Sequence, residues 1–256
     1  MRPADELRDI VDTYLRSLEF APELGGLADA VRYPLEAGGK RIRPVLCLAV
    51  AEANGASVER ALPAAAALEL VHTFSLVHDD LPAMDDDDER RGRPSAHIAF
   101  GEGVALLAGD ALLAEALRLA LTYESADVAR DLVDATLGMI GGQYRDITGD
   151  DADLAELHRL KTGRLFVAAV TLGLDVASVP RDGRPEWLVF GEEVGLLFQV
   201  VDDLLDGDGY AARHGAEETR RLADDVAARA RIRLDAVDAD TRVLGEVVKS
   251  LTFRTG

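Results

Sequence analysis

The sequence predicts an all-α protein built as a single domain over residues 1–256, and three observations lead to this class. Hydrophobic residues make up 48% of the 256 residues, whereas aromatic residues make up only 5%. Ala, Leu and Val therefore carry most of the apolar content, and this bias favours helix over sheet. Apolar positions recur at helical spacing along the chain. No strand or hairpin pattern is convincing, and no internal repeat or low-complexity linker divides the chain.

The first half of the chain contains five predicted helices. They cover residues 4–20, a helix ending at 31–37, and residues 44–53, 64–80 and 103–123. Gly38-Gly39 closes the second of these, Pro44 suits the first turn of the third, and Ser57 can cap the next segment. Pro82 lacks an amide donor and therefore disfavours regular helix beyond Asp80.

The second half is expected to add helices at residues 128–147, 152–174 and 187–206, followed by two more in 207–256. Gly138, Gly141 and Gly142 lie inside the first of them, where glycine costs stability and usually marks close helix packing or the approach of a substrate. Lys161 and Thr162 lie beside a glycine within an apolar helical segment. A phosphate group is one partner for them, and simple exposure of the lysine to solvent is the alternative.

Charge and composition argue against several classes of protein. A net charge of −19 disfavours nucleic acid or an anionic membrane as partner, because both bind positive surfaces. Cys47 is the only cysteine, so no internal disulfide and no cysteine metal site can form. The most apolar stretch, Val104–Leu121, contains Asp110, Glu115 and Arg118 and therefore does not resemble a membrane span. The N-terminus carries no signal-like apolar run, and a cytoplasmic location is expected.

An acidic run directly follows a long apolar helix. Asp79 and Asp80 end that helix, and four intervening residues can loop out so that Asp79 and Asp85 converge. Mg²⁺ prefers oxygen ligands and is usually held by one or two carboxylates together with phosphate oxygens. A solvated charged loop explains residues 86–89 well but explains Asp79 and Asp80 poorly. His72 lies two turns before Asp79 on the same helix face, which favours a ligand role over that of a structural histidine.

Basic residues accompany these carboxylates at two places. Lys40, Arg41 and Arg43 follow a glycine pair at the start of a helix, where backbone amides favour an anion. A solvated basic turn is an equally good interpretation of these three residues. Arg90 and Arg91 could clamp phosphate oxygens, or they could simply neutralise the acidic run.

A second acidic cluster lies near the end of the helix that precedes residue 207. Gln199, Asp202, Asp203 and Asp206 are spaced so that they share one face of this helix. Like charges at this spacing repel one another unless a cation lies between them. This repulsion is the strongest indication of a metal site in the sequence.

Together these motifs resemble the trans-polyprenyl diphosphate synthase family, in particular its short-chain members that make farnesyl or geranylgeranyl diphosphate. The resemblance covers nearly the whole chain, and the motifs occur in the family's order. They are Gly38–Pro44, similar to GGKRxRP; Asp79–Asp85 with Arg90–Gly92, similar to the first aspartate-rich motif; His97; Gly109–Leu113; Gly141–Gln143; Lys161–Gly163; and Phe198-Gln199 with Asp202, Asp203 and Asp206, similar to the second aspartate-rich motif.

The resemblance implies an isoprenoid synthase fold, which is an antiparallel helix bundle around a central cavity and usually forms a homodimer. It also implies that several Mg²⁺ ions hold the allylic diphosphate between aspartates on two sides of the cavity. The implied metal ligands are Asp79, Asp80, Asp85, Asp202, Asp203 and Asp206. The implied catalytic residues are Asp79, Asp80, Asp85, Asp202 and Lys161.

Two sets of substrate-binding residues follow from the same resemblance. The allylic diphosphate is expected to bind to Arg90, Lys161, Thr162 and Gln199. Isopentenyl diphosphate is expected to bind to Gly39, Lys40, Arg43, His72 and Arg91. The implied reaction ionises the allylic diphosphate, joins the cation to the double bond of isopentenyl diphosphate, and releases a proton to the departing diphosphate. Metal ions and cationic side chains stabilise the charge that develops on the leaving group.

Product length depends on two residues of the helix that would line the cavity. Phe74 and Ser75 lie five and four residues before Asp79, where bulk blocks chain growth in the enzymes that this chain resembles. Phe74 is expected to limit the depth of the cavity and Ser75 to permit it. We therefore expect the fifteen-carbon product first and the twenty-carbon product second.

The resemblance departs from the family pattern after the second aspartate-rich motif. The family usually has a lysine-bearing loop there, whereas Asp206–Gly215 leads almost directly into the next helix. Arg213 could replace one of the missing cations. A terpene cyclase is one alternative, but it would normally lack the second motif and the Lys40–Arg43 cluster. A non-catalytic regulatory subunit is another, although such subunits commonly lose the aspartates that this chain keeps.

Overall fold

The computed structural model describes residues 1–149 and 153–252, and it confirms the all-α class. Within that part of the chain the helices are α1 (Ala4–Ser17), α2 (Leu27–Glu36), α3 (Ile42–Ala53), α4 (Val58–Asp79), α5 (Ala96–Phe100), α6 (Glu102–Ala120), α7 (Asp127–Thr148), α8 (Leu154–His158), α9 (Arg164–Val176), α10 (Pro185–Asp206), α11 (Gly209–His214), α12 (Ala216–Asp235) and α13 (Arg242–Thr252). The predicted helix start at residue 152 and the last four residues of the expected domain lie outside the described residues.

Local chemistry explains where α4 begins. The Ser57 side-chain oxygen accepts a hydrogen bond from the Arg60 amide at 3.2 Å, so it caps the helix as expected. The helix therefore starts at Val58 rather than at residue 64, and it passes through Pro63. The first turns of α4 are packed into the core, and this packing overrides the unfavourable proline.

Two predicted helical segments are divided further. The helix expected over residues 152–174 consists of α8, one π-helical turn at Arg159–Gly163, and α9. Its apolar spacing continues through the π turn, so the sequence shows no break there. The described part of residues 207–256 contains three helices rather than two, because the short α11 precedes α12.

A short hairpin lies in a segment where the sequence analysis expected none. Strand β1 (Glu89–Arg90) pairs antiparallel with β2 (Arg93–Pro94). Arg91 and Gly92 between them have positive φ angles of 57° and 74°, as both central residues of a type I′ turn require. The expectation was wrong here because strands of two residues are too short to show an alternating pattern.

Helix α4 lies at the centre of the bundle. It packs most extensively against α6 and also contacts α3 and α9, while α10 packs against α12. Residues Ala64–Ala67 of α4 are at most 1% exposed, and their small side chains allow neighbouring helices to approach closely. Because α4 is buried over most of its length, the residues at its C-terminal end are held at fixed positions inside the bundle.

The same burial bears on the question of a membrane span. Among the described helices, α4 alone is long and apolar enough to cross a membrane by length and composition, with a mean hydropathy of 1.2. However, 67% of the window that passes this test is buried inside the bundle, and buried core helices pass it too. It is therefore a weak indication of a membrane span. Helix α6, which contains most of the stretch 104–121, does not pass.

Gly173 brings α9 into direct backbone contact with α3. A Cβ atom at this position would lie 2.7 Å from the Cys47 carbonyl oxygen and 2.9 Å from Cβ of Val50. Both neighbours are fully buried, so they cannot move aside without disturbing a close-packed core.

We expect Gly173→Ala to lower the free energy of unfolding by about 1–3 kcal/mol, because the added methyl group overpacks the α3–α9 contact. Gly245→Ala on α13 is the matched control, since an added Cβ there meets no neighbouring atom within 4 Å. The control should keep its stability or gain up to about 1 kcal/mol from helix propensity. Urea denaturation followed by circular dichroism measures both variants, and equal stabilities would contradict the close contact.

Candidate active site

A cavity of about 920 Å³ lies between α4, α7, α9, α10 and α11. Its polar lining includes Asp79 at the end of α4 and Asp202 near the end of α10, and its apolar lining includes Phe74, Met139 and Leu165. Phe74 lies five positions before Asp79, so the two residues are about 7.5 Å apart along the helix axis. This division of the lining suits a ligand with a charged head and an apolar tail.

Asp79 is the first carboxylate of this cavity. The loop after α4 folds back, and the Asp85 amide donates a hydrogen bond to the Asp79 carbonyl oxygen at 2.9 Å. Asp79 and Asp85 therefore lie next to each other, as their spacing in the sequence predicts. Burial raises the pKa of Asp79 to about 6, and the charge of Asp85 adds to the increase while Lys161 opposes it. The charged carboxylate is thus disfavoured until a cation comes close.

Asp80 is placed differently from its neighbour. It is 3% exposed, and its Oδ1 accepts hydrogen bonds from Nε and Nη2 of Arg90 at 2.9 and 2.5 Å. Arg90 belongs to the hairpin and also binds Asp87. Asp80 does not line the main cavity, so the structure gives it the task of holding Arg90 rather than facing a ligand.

Thr162 of the π turn and two side chains of the second aspartate-rich segment form a chain of hydrogen bonds. The Thr162 hydroxyl donates to Gln199 Oε1 at 2.7 Å, and Gln199 Nε2 donates to Asp203 Oδ1 at 2.7 Å. The other oxygen of Asp203 accepts the Tyr210 amide of α11 at 2.8 Å. Asp203 borders the cavity but is 3% exposed, and both its oxygens are used within the protein. It therefore fixes α11 in place beside the cavity.

Asp202 faces the cavity, whereas Asp206 is exposed and outside its lining. Burial raises the pKa of Asp202, and the neighbouring charges of Asp206 and Asp203 raise it further. The repulsion predicted from the sequence is therefore present at this carboxylate. The short α11 adds Arg213 to the cavity lining, and the suggestion that Arg213 replaces a missing cation stays a prediction.

The π turn places Lys161 beside α7. A Cβ atom on Gly142 would lie 2.4 Å from the Lys161 backbone nitrogen, so only glycine allows α7 and the π turn to meet. Lys161 pairs with the carboxylate of Asp146, which also lines the cavity. Asp146 was not among the residues predicted to form the site. Its signal was the three-residue spacing from Gln143, which lines the cavity too. Single π turns inside helices are often found at functional sites.

Gln143 is half-buried and faces the same cavity, and its amide atoms are shielded from solvent. Neither its Oε1 nor its Nε2 has a hydrogen-bond partner among the described residues. Buried polar atoms are normally paired, so this amide is available to a polar group that enters the cavity.

A second cavity of about 480 Å³ is basic and contains the residues expected to bind isopentenyl diphosphate. Its lining includes Gly39, Lys40, Arg43, His72 and Arg91. Arg91 donates a hydrogen bond to the Gly38 carbonyl, and its guanidinium lies where a Cβ of residue 39 would stand. Gly39, at φ 144°, is therefore required for this approach.

Arg43 lies over two adjacent aromatic rings. Its guanidinium carbon lies 4.5 Å from the ring centre of Phe166 and 5.4 Å from that of Phe198. Burial lowers the pKa of Arg43 to about 10, and burial with nearby arginines keeps the pKa of His72 well below its usual value. His72 is thus neutral, and its Nε2 accepts the hydrogen bond from Arg43 Nη1 at 3.4 Å. Arg43, His72 and Asp202 line both cavities, which therefore adjoin.

Arg41 has a structural role, although it belongs to the same basic run. It is 4% exposed, and it pairs with Asp12 at 2.8 Å and with the buried Glu69. It also donates a hydrogen bond to the Leu35 carbonyl oxygen. All three cations of the run border the basic cavity, but the charge of Arg41 is already balanced by Asp12 and Glu69, which leaves Lys40 and Arg43 for a ligand.

The carboxylates fit Mg²⁺ that arrives with a phosphate. No cluster of three or more His, Cys, Asp or Glu side chains suited to a metal exists in residues 1–149 and 153–252. Mg²⁺ usually takes one or two carboxylates and completes its shell with water and substrate phosphate, so such a cluster is not needed. Asp79 on one side and Asp202 on the other offer carboxylates whose burial a cation would offset, and the exposed Asp85 lies next to Asp79.

The fold and these two cavities define a class of protein: a helix bundle in which two carboxylate-bearing helices face one cavity and a basic cavity adjoins it. A family model described as polyprenyl synthetase matches residues 26–225, and the chain belongs to this family.

Known proteins resemble this chain over most of its length. It is 46% identical over 194 residues to a geranylgeranyl diphosphate synthase of Cyanophora paradoxa. The aligned region covers 70% of this chain and 64% of that protein. It is 39% identical over 204 residues to a farnesyl diphosphate synthase of Bacillus subtilis (strain 168), which covers 74% and 69%. The crystal structure of a geranyltransferase from Legionella pneumophila has a TM-score of 0.87 at 32% identity and covers 98% and 96%. The chain thus spans slightly less than two thirds of the Cyanophora relative.

We expect Asp203→Ala to lower the free energy of unfolding by about 1–3 kcal/mol, because the Gln199 amide and the Tyr210 backbone would lose a buried acceptor. Asp206→Ala is the matched control from the same motif, since Asp206 is exposed. It should leave stability unchanged, because it removes only a repulsive charge. Chemical denaturation separates the two variants. A larger loss of stability for Asp206→Ala would contradict the proposed role of Asp203 in holding α11 in place.

Proposed function

We propose that this protein is a short-chain prenyl diphosphate synthase. It would condense isopentenyl diphosphate with dimethylallyl or geranyl diphosphate, giving farnesyl diphosphate first and geranylgeranyl diphosphate second. The observation that carries the proposal is the pair of adjoining cavities, which share Arg43, His72 and Asp202. The similarity to named synthases of both products supports it.

The larger cavity suits the allylic substrate. Lys161, Thr162 and Gln199 lie along its wall and would bind the diphosphate, while Asp146 holds Lys161 in position. The apolar residues Met139 and Leu165 would surround the hydrocarbon tail and exclude water from the allylic cation. Arg90 lies outside the lining of both cavities, since Asp80 and Asp87 hold its guanidinium, and its binding to the allylic diphosphate stays a prediction.

Divalent metal ions fit the carboxylates Asp79, Asp85 and Asp202, with Asp206 near them. When bound, Mg²⁺ would supply positive charge that stabilises the departing diphosphate. The chain's own contribution is to place these carboxylates at the ends of two rigid helices and to keep Lys161 beside them.

The smaller cavity suits isopentenyl diphosphate. Lys40, Arg43 and Arg91 would bind its diphosphate, and neutral His72 would keep Arg43 oriented. Because the two cavities adjoin at Arg43, the double bond of this substrate could reach the allylic carbon. No described side chain at the junction has the placement of an obvious base, and the released diphosphate would take the proton.

An exposed apolar stripe on α7 supports a homodimer. Its members follow helical spacing, and α5 and α6 carry further exposed apolar residues beside it. The stripe consists of Val133, Leu137, Ile140, Tyr144 and Ile147, of which the last three also border the main cavity. Contiguous apolar surface of this kind marks protein interfaces, and a second copy of the chain would cover it. A cytoplasmic location stays a prediction from the sequence.

The first test is an assay of the purified chain with Mg²⁺, isopentenyl diphosphate and dimethylallyl or geranyl diphosphate, with products identified by mass spectrometry. We expect a fifteen-carbon or twenty-carbon diphosphate that disappears when the metal is chelated. Asp79→Ala and Asp202→Ala should each lower kcat about 100-fold or more, because each removes charge stabilisation of the leaving group.

Asp224→Ala on α12 is the matched control, since this aspartate is exposed and outside both cavities. It should retain full activity. A folded wild-type protein that is silent with every primer would contradict the proposal and favour the regulatory-subunit alternative. A cyclic hydrocarbon product would favour the terpene cyclase.

We expect Leu137→Asp to convert a dimer into a monomer, because it places a charge in the centre of the apolar stripe. Leu137 is 62% exposed, and Ile232 on α12 is 61% exposed outside the stripe, so Ile232→Asp is a closely matched control. Analytical ultracentrifugation measures the mass of each variant. A monomeric wild type, or a dimer that survives Leu137→Asp, would sink the proposed interface.

A further inference from the structure

We infer that His78 is a positioning residue for product length, because its imidazole holds the ring of Phe74 against the cavity. This inference rests on the proposed synthase function and deepens it. It concerns a side chain that immediately precedes the first carboxylate and that sequence spacing alone does not select.

The two rings form a contiguous wall on α4. Phe74 and His78 are one helical turn apart and both line the main cavity. Their ring centres are 5.0 Å apart with an interplanar angle of 75°, which is the favourable edge-to-face arrangement. The imidazole therefore restricts the positions that the Phe74 ring can adopt.

Helix α6 fixes the imidazole from the other side. His78 Nε2 lies 3.0 Å from the Leu106 carbonyl oxygen, and since a carbonyl only accepts, this nitrogen carries the proton and donates it. The Asp110 carboxylate is 3.9 Å from the same nitrogen. A Cβ atom on Gly109 would lie 2.2 Å from Nε2, so the ring occupies space that only glycine leaves open.

This packing makes the end of the cavity depend on His78. Without the imidazole, the space between α4 and α6 would be empty, and the Phe74 ring could turn into it. The hydrocarbon tail would then gain room beyond Phe74. Conversely, a side chain at residue 109 would push the imidazole away from α6 and toward the tail.

The test measures product length with isopentenyl diphosphate and geranyl diphosphate. We expect His78→Ala to raise the proportion of longer products several-fold, in the same direction as Phe74→Ala. His78→Phe is the matched control, because it keeps an aromatic ring beside Phe74 and loses only the hydrogen bond to Leu106. It should give the wild-type distribution.

Gly109→Ala supplies a change in the opposite direction. We expect it to shorten the products, whereas the double variant Gly109→Ala/His78→Ala should give the longer products of His78→Ala, since no imidazole is left for the new methyl group to push toward the tail. Such non-additivity is expected of residues in direct contact. A merely structural defect at Gly109 would not be relieved by removing His78.

Three results would overturn the inference while leaving the synthase function intact. They are an unchanged distribution in His78→Ala, an equal lengthening in His78→Phe, and additive effects in the double variant. If the wild type makes no product, calorimetric binding of farnesyl and geranylgeranyl diphosphate replaces the assay. His78→Ala should then favour the longer tail more than wild type does, and an unchanged preference, or a wild type that binds neither tail, overturns it.

Discussion

Two largely buried helices end in carboxylates at one cavity, and the electrostatic cost of these charges is the constraint on which the site depends. Burial raises the pKa of Asp79 on α4 and of Asp202 on α10, and neighbouring aspartates increase both shifts. A flexible chain would relieve this cost by turning the side chains toward water. The rigid packing of α4 prevents that movement at Asp79. A cation placed between these carboxylates would therefore offset the cost of their burial.

The cations near the site are divided between structure and binding by what each one touches. Arg41 is buried against Asp12 and Glu69, so its charge is already balanced. Arg43 lies over two aromatic rings, which stabilise a guanidinium without neutralising it, and it thus stays available to an anion. Lys161 is paired with Asp146 at the cavity wall, where a diphosphate would compete for it. Arg41 and Arg43, which look equivalent in the sequence, thus have different roles in the structure.

The fold was largely predictable, because helical periodicity and glycine and proline boundaries are properties of local sequence. The convergence of Asp79 with Asp85 was predictable for the same reason. The separate tasks of Asp80 and Asp203 were not, since adjacent helix residues point about 100° apart and spacing does not tell which partner each one meets. Those partners, Arg90 of the hairpin and Tyr210 of α11, come from segments without a periodic pattern. The π turn at Lys161 is equally invisible, because it leaves the apolar spacing intact.

Asp203 anchors the short segment that follows the second aspartate-rich motif. Asp203 gives both oxygens to Gln199 and Tyr210, and Gly209, at φ 44°, allows the backbone to pass against this carboxylate. Asp80 is likewise satisfied by Arg90. Asp203 thus has both oxygens hydrogen-bonded within the protein, although its charge still raises the pKa of Asp202. Its position beside α11 leaves Asp79 and Asp202 as the partly buried cavity carboxylates whose raised pKa values a cation would lower.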